Sequence, residues 1–208
     1  MTHMPASEPV AVFSGLQRRP MPSVPTALDY VREEIDLQGY SIVPDLIDAD
    51  VRQQLSAEID RLEALEQQRW SAQALAQIND QGVVRNPFLH SDAVLAACFN
   101  SATLAICEAV FGNQYILHVN RAVINQPAHV HPASVWHREP PYQNFTSSKP
   151  VALTFLIAVD AATAQTGGLR VLPASHRWET VPSNSYIQKN AVVLDVPARA
   201  LLVTEQLE

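Results

Sequence analysis

No run of about 18 apolar residues occurs anywhere in the chain, so it offers no transmembrane helix. The opening stretch MTHMPASEPVAVFSGLQRRPMPSVP lacks the basic start and apolar core of a secretory leader. Basic residues are scarce: 14 Lys and Arg stand against 21 Asp and Glu, a formal charge of −7. No basic cluster goes beyond Arg18-Arg19, which argues against nucleic acid and anionic membranes as partners. Cysteine is nearly absent. Cys98 and Cys107 both sit in apolar helical patterns, where reduced buried thiols in a cytoplasmic protein are the expectation and a disulfide the weaker alternative. No internal repeat or low-complexity tract is visible. What the chain does have is apolar mass: 47% of its 208 residues are hydrophobic, enough for one domain with a sizeable core.

Residues 1–25 carry several prolines and no periodicity, and read as a loose arm before a domain spanning 26–208. At TALDYVREEIDLQGY a helix is expected: Thr26 caps it with Asp29 three residues on, Leu28, Val31 and Ile35 share a face, and Gly39 ends it. YSIVP reads as a short strand. DADVRQQLSAEIDRLEAL predicts a second amphipathic helix over 48–65, capped by Asp48, with Val51, Leu55, Ile59 and Leu62 as its stripe. Residues 66–90 are polar and carry no pattern. SDAVLAACFN and SATLAICEAVFG predict two short helices, each opened by a Ser and the second closed by Gly112. Beyond Gly112 come short Val-, Ile- and Leu-rich runs punctuated by Pro, Gly, Asn and Ser: QYILHVNRAVINQP, ASVWH, VALTFLIAVD, LRVLP, AVVLDVP and ALLVTEQ. That pattern predicts an antiparallel barrel or sandwich, so the order is helices first and a β domain second.

The stretch SVWHREPPYQNF sets His137 and Glu139 two positions apart. On a strand such residues point to one face, and an imidazole with a carboxylate supplies one nitrogen and one oxygen ligand. With a second His from elsewhere this becomes a facial triad that leaves positions open on Fe(II). The pattern alone equally allows a surface ion pair or a His packed against Trp136.

The segment WHREPPYQNFTSSKPVALTFLIAVDAATAQTGGLRVLPASHRW resembles the core of the phytanoyl-CoA dioxygenase family. The pieces in order are Trp136-His137-Arg138-Glu139, a strand over 151–159, Asp160, Gly167-Gly168 and LPASHRW. Upstream, GYSIVPDLIDADVRQQL resembles the family's entry strand and helix, and YILHVNRAVINQP the strand before the iron motif. The resemblance extends over residues 26–204. It implies a mainly β double-stranded β-helix (jelly roll, cupin-like) with N-terminal helices buttressing one sheet. It also implies an Fe(II)- and 2-oxoglutarate-dependent oxidoreductase that hydroxylates a small organic substrate or acyl thioester with O2.

Carried over by position, His137 is an iron ligand and Glu139 stands where the family usually has Asp, one methylene shorter. Asn125 and Thr154 match positions that approach 2-oxoglutarate; a turn Asn before Gln126-Pro127 and a strand Thr facing its neighbour are the plain alternatives. The family's second His and an Arg for 2-oxoglutarate follow the strand that ARALLVTEQLE resembles, and no His or Arg lies after Arg199. The expectation is therefore a fragment or truncated form lacking its last one or two strands and without a third iron ligand. Two alternatives remain: a cupin-like metal protein using His129, His131 and His137 with Glu139, and a non-catalytic remnant of the same fold. His176, in the SHR segment, is expected to support a loop.

Overall fold

The computed structural model describes residues 26–78, 81–125, 136–138 and 149–205. The chain opens with helix α1 (Ala27–Gln38), whose start and stop are those the sequence predicts. Thr26 Oγ1 accepts from the Asp29 amide while the Asp29 carboxylate accepts from the Thr26 N–H, a reciprocal capping box. Gly39 closes the helix at φ 85°, the left-handed conformation glycine takes without cost. Val31 and Ile35 form its buried stripe.

Strand β1 (Tyr40–Val43) follows, then α2 (Ala49–Arg69), which buries Leu55 and Leu62 and runs four residues past its predicted end at 65. Asp48 holds the N-cap position of α2 without a side-chain cap bond. The patternless stretch 66–90 holds more structure than its polarity suggests: α3 (Ala72–Gln77), β2 (Val83–Arg85) and a 3-10 turn at Pro87–Leu89. Helices α4 (Asp92–Cys98) and α5 (Ser101–Phe111) come next. Ser91 caps α4 as expected. The cap of α5 is Asn100 rather than Ser101, because the Asn100 carboxamide accepts from both the Ala102 and Thr103 amides.

The remaining strands are β3 (Arg121–Val123), β4 (Thr154–Ile157), β5 (Arg170–Val171), β6 (Val192–Val193) and β7 (Leu201–Thr204). Each is shorter than the apolar run that announced it. A further helix, α6 (Asn184–Asn190), interrupts them and corrects the expected order of helices first and strands second. The order fails at the sheet as well. β1, from the helical half, pairs antiparallel with β7, and β4 takes β7's other edge, giving the sheet β1-β7-β4 with Tyr40 and Thr154 both opposite Thr204. Two antiparallel pairs, β2-β3 and β5-β6, complete the described sheets.

The core sits on both faces of β7. Leu201 and Val203 point to one side and pack with Val31, Ile35 and Ile106 from α1 and α5. Leu202 points to the other and packs with Val171, Leu194, Val196 and Ala200 around β5 and β6. Period-two alternation on a strand covered on both faces explains why Ala-Leu-Leu-Val reads as a continuous apolar run. Each such side chain contributes roughly 1.5–3 kcal/mol of burial. A third cluster joins Leu55 of α2 to Val94 and Ala97 of α4. Among the described residues no single helix is long and apolar enough to cross a membrane. α4 and α5 together reach that length but bend by 43°, and they bury Val94, Ala97, Thr103 and Ile106 inside the protein.

Candidate metal and co-substrate site

His137 lies in the segment 136–138, half-buried and outside regular secondary structure. The strand end expected there is not seen in these three residues. Glu139, His129 and His131 lie outside the described residues, as does the question of whether Glu139 shares a face with His137. Among the described residues no group of three or more His, Cys, Asp or Glu side chains is placed to hold a metal ion.

The residue before His137 has a defined partner. The ring of Trp136, its chain neighbour, faces Arg170, whose Cζ lies 5.3 Å from the ring centroid, within cation–π range. Arg170 belongs to β5 and donates to Gln188 Oε1 of α6 at 3.4 Å. Nothing in the sequence signals this contact, because it depends on where β5 falls relative to residue 136.

Asn125 follows β3 and is exposed. Its amide nitrogen lies 3.3 Å from where a Cβ on Gly167 would stand. Gly167 has φ +89°, and Gly168 packs so tightly that a Cβ there would come within 2.8 Å of the Thr163 carbonyl carbon. Thr163 and Thr166 knit this turn: the Thr163 amide donates to Thr166 Oγ1 at 2.8 Å and the Gly168 amide to the Thr163 carbonyl at 2.6 Å. Glycine is required at 167 for its conformation and at 168 for lack of space.

Thr154 opens β4 opposite Thr204. Phe155 and Ile157 pack on the α1 side of the sheet, so alternation turns Thr154 and Leu156 to the other face, the one Leu202 shares with β5 and β6. Asp160, the acidic residue at the end of the strand, is ion-paired with Arg52 of α2, which also donates to the Val159 carbonyl at 2.7 Å.

His176 has a structural setting. It is 1% exposed, and its Nε2 donates to the Asp36 carbonyl at the end of α1 at 3.3 Å, leaving Nδ1 buried without a partner. Burial lowers its pKa, and the neighbouring Arg177 guanidinium adds to the effect. Glu205, just past β7, is 2% exposed, and burial raises its pKa. Sequence reasoning missed Glu205, since a charged residue ending a strand is ordinarily solvated. Cys98 and Cys107 are both free, and burial pushes both thiols up.

Comparison with known proteins places this geometry in context. The family model described as Phytanoyl-CoA dioxygenase (PhyH) matches residues 35–193, a span that includes Asn125, His137, Glu139 and Thr154. The chain is 25% identical over 186 residues to an uncharacterized protein of Mycobacterium tuberculosis, covering 86% of this chain and 66% of that protein. It is 27% identical over 196 residues to the iron/alpha-ketoglutarate-dependent dioxygenase ausU of Aspergillus calidoustus, covering 87% and 63%. It thus spans just under two thirds of the curated relatives it matches.

Among solved structures, the epimerase SnoN in complex with Fe3+, alpha ketoglutarate and nogalamycin RO superposes with a TM-score of 0.61 at 20% identity, covering 86% of this chain and 74% of SnoN. AviO1 from Streptomyces viridochromogenes gives 0.62 at 16% identity, covering 89% and 87%. Both show a shared fold, and with the family match they imply a cupin-like jelly roll, although the described sheets are small. The chain belongs to the phytanoyl-CoA dioxygenase family.

Proposed function

We propose that the protein is an Fe(II)- and 2-oxoglutarate-dependent oxygenase whose single domain, from residue 26 onward, acts on a C–H bond of a small organic molecule or acyl thioester. The observation that carries this reading is the family match over 35–193, which runs through the His137-x-Glu139 pair. The donor set suits the metal: an imidazole nitrogen and a carboxylate oxygen are ligands that Fe(II) accepts while keeping open positions. His137 and Glu139 would hold the ion, and when bound it supplies activation of O2 against 2-oxoglutarate. Glu139 is one methylene longer than the Asp usual in the family, so its oxygen would have to reach the same metal by a different rotamer or a shifted backbone.

Asn125 and Thr154 would orient 2-oxoglutarate. Asn125 presents a carboxamide beside the Gly167 turn, and Thr154 a hydroxyl on the sheet face turned towards β5 and β6. Hydrogen bonds from such groups matter because a carboxylate drawn out of water without them loses several kcal/mol. The apolar side chains of Leu202, Val171, Leu194 and Val196 line that half of the core and keep water from it.

The test is anaerobic Fe(II) binding together with succinate formation from 2-oxoglutarate, both measured on the full-length protein. His137→Ala should abolish both, and Glu139→Asp should keep or raise turnover. His129→Ala and His131→Ala should leave iron content nearly intact. Iron lost on His129→Ala or His131→Ala but kept on His137→Ala would refute the reading in favour of a cupin-like histidine cluster. Iron binding without any succinate would favour a non-catalytic remnant. SnoN is an epimerase, so product analysis should look for inversion at a carbon as well as hydroxylation.

A further inference from the structure

β2 and β3 set two arginines against each other: Arg85 stands directly opposite Arg121 in the antiparallel ladder. The Asn86 amide donates to the Asn120 carbonyl at 3.0 Å and the Ile124 amide to the Gly82 carbonyl at 2.7 Å, so these are the hydrogen-bonded pairs. Arg85 and Arg121 fall next to one of them, at a non-hydrogen-bonded pair, where Cα atoms approach to about 4.5 Å and side chains lie closest. Like charges directly opposite destabilise a sheet, and an anion between them removes the repulsion. Alternation puts Val83 on the face of Arg85 and Val123 on that of Arg121. On that face lies a cleft of about 110 Å³ lined by Glu66, Trp70, Leu75, Ile78, Val83 and Arg85. Leu75 and Val83 are buried, whereas Trp70 is 48% exposed, Val123 54% and Ile78 62%. The Arg69 guanidinium lies 5.5 Å from the Trp70 ring centroid. Arg69, Arg85 and Arg121 thus gather positive charge around apolar walls, against the Glu66 carboxylate, in a chain whose formal charge is −7.

We propose that this cleft is a binding site for a small organic carboxylate, its alkyl group on Trp70, Ile78 and Val83 and its carboxylate between Arg85 and Arg121. An apolar cavity of about 150 Å³ takes up benzene, so the cleft suits a short branched alkyl chain. A guanidinium holds a carboxylate through two parallel N–H···O bonds, which a phosphate also accepts but without covering the apolar walls. Arg85 has a further interaction of its own, so Arg121 is the residue whose loss the site should feel most. None of the residues proposed for iron or 2-oxoglutarate lines the cleft, so the site stands or falls apart from that reading.

The experiment titrates the full chain with isovalerate, isoamyl alcohol and inorganic phosphate, following the Trp70 indole N–H by NMR. Isovalerate should shift it saturably, and the other two should bind at least about fivefold more weakly, since each offers only half of the contact. Arg121→Gln should weaken isovalerate about three- to tenfold, Arg121→Lys should recover part of that loss, and Ile78→Asn should weaken isovalerate but not phosphate. Both positions are exposed, so these changes spare the core. Without ligand, Arg121→Gln should melt no lower than the wild type, because it removes a like-charge contact. Isoamyl alcohol or phosphate binding as tightly as isovalerate, or isovalerate binding unchanged in Arg121→Gln, would overturn the site. A lower melting temperature in Arg121→Gln would overturn it too, since it would show the two guanidiniums already bridged by a carboxylate of the chain itself.

Discussion

Glu205 is a carboxyl group in a place that does not reward charge, and replacing it with Gln exposes that cost. Its backbone N–H donates to the Gly39 carbonyl at 2.8 Å, which fixes the residue at the end of α1. Its side chain is 2% exposed, and Oε2 has no hydrogen-bond partner. Burial raises its pKa above the ordinary 4.5; the Arg177 guanidinium opposes the shift and the Asp36 carboxylate adds to it. A raised folded-state pKa gives stability that is complete below the unfolded value and is lost as pH rises through the folded one.

Glu205 thus costs more at neutral pH than at acid pH, and a side chain of the same shape that cannot ionise escapes that cost. A buried polar atom left unsatisfied costs about 1–3 kcal/mol. The Gln amide still wants partners, so the low end, about 1 kcal/mol, is the expected gain. For a chain of this size that corresponds to roughly 2–4 °C in melting temperature. His176 titrates in the opposite sense. Its lowered pKa gives stability present above 6.5 that is lost as pH falls through the folded value, but it is common to both proteins and cancels. Thermal melts at pH 7.5 and pH 4.0 decide the matter: Glu205→Gln should melt higher at pH 7.5 and match the wild type at pH 4.0. A lower melting temperature at pH 7.5, or an equal offset at both values, would refute the reasoning.

Ala174 sits at φ 63°, where a Cβ costs about 1–2 kcal/mol, so Ala174→Gly should raise stability in urea melts by about 0.5–1 kcal/mol once glycine's extra unfolded-state entropy is deducted. Leu201, 0% exposed between α1 and α5, should cost about 2–5 kcal/mol as Leu201→Ala in the same assay. Gly168→Ala would push a methyl against the backbone of Thr163 and Leu194; about 1–3 kcal/mol of destabilisation is expected, together with displaced Asn125 resonances.

The elements legible in the sequence are those whose cause is local. Thr26 and Asp29 lie three residues apart, Val31 and Ile35 four apart, and Gly39 stands where a left-handed residue is required, so α1 follows from its own letters. The same holds for Ser91 before α4 and for the short apolar run of β7, read correctly as a strand. Three residues of β2 are too few to show a period, and α6, NSYIQKN, buries only Ile187, so neither carries a signal above its polar surroundings. The His137-x-Glu139 spacing of the proposed site and the Gly167-Gly168 pair are visible in the sequence because they are short-range. The Arg170 contact on Trp136 and the burial of Glu205 are not.

By itself the sequence determined the capping box, buried stripe and glycine stop of α1, the Ser91 cap of α4, and the family to which the chain belongs. Only the tertiary structure decided that β1 pairs with β7, that Asp160 is held by Arg52, that His176 props the end of α1, and that one short span touches both Trp136 and Asn125. The reason is range. Caps and periods are set by sterics and hydrogen bonds within a few residues, whereas strand partners and side-chain neighbours are chosen by burying apolar faces across the whole chain, and no local pattern records which distant face is available.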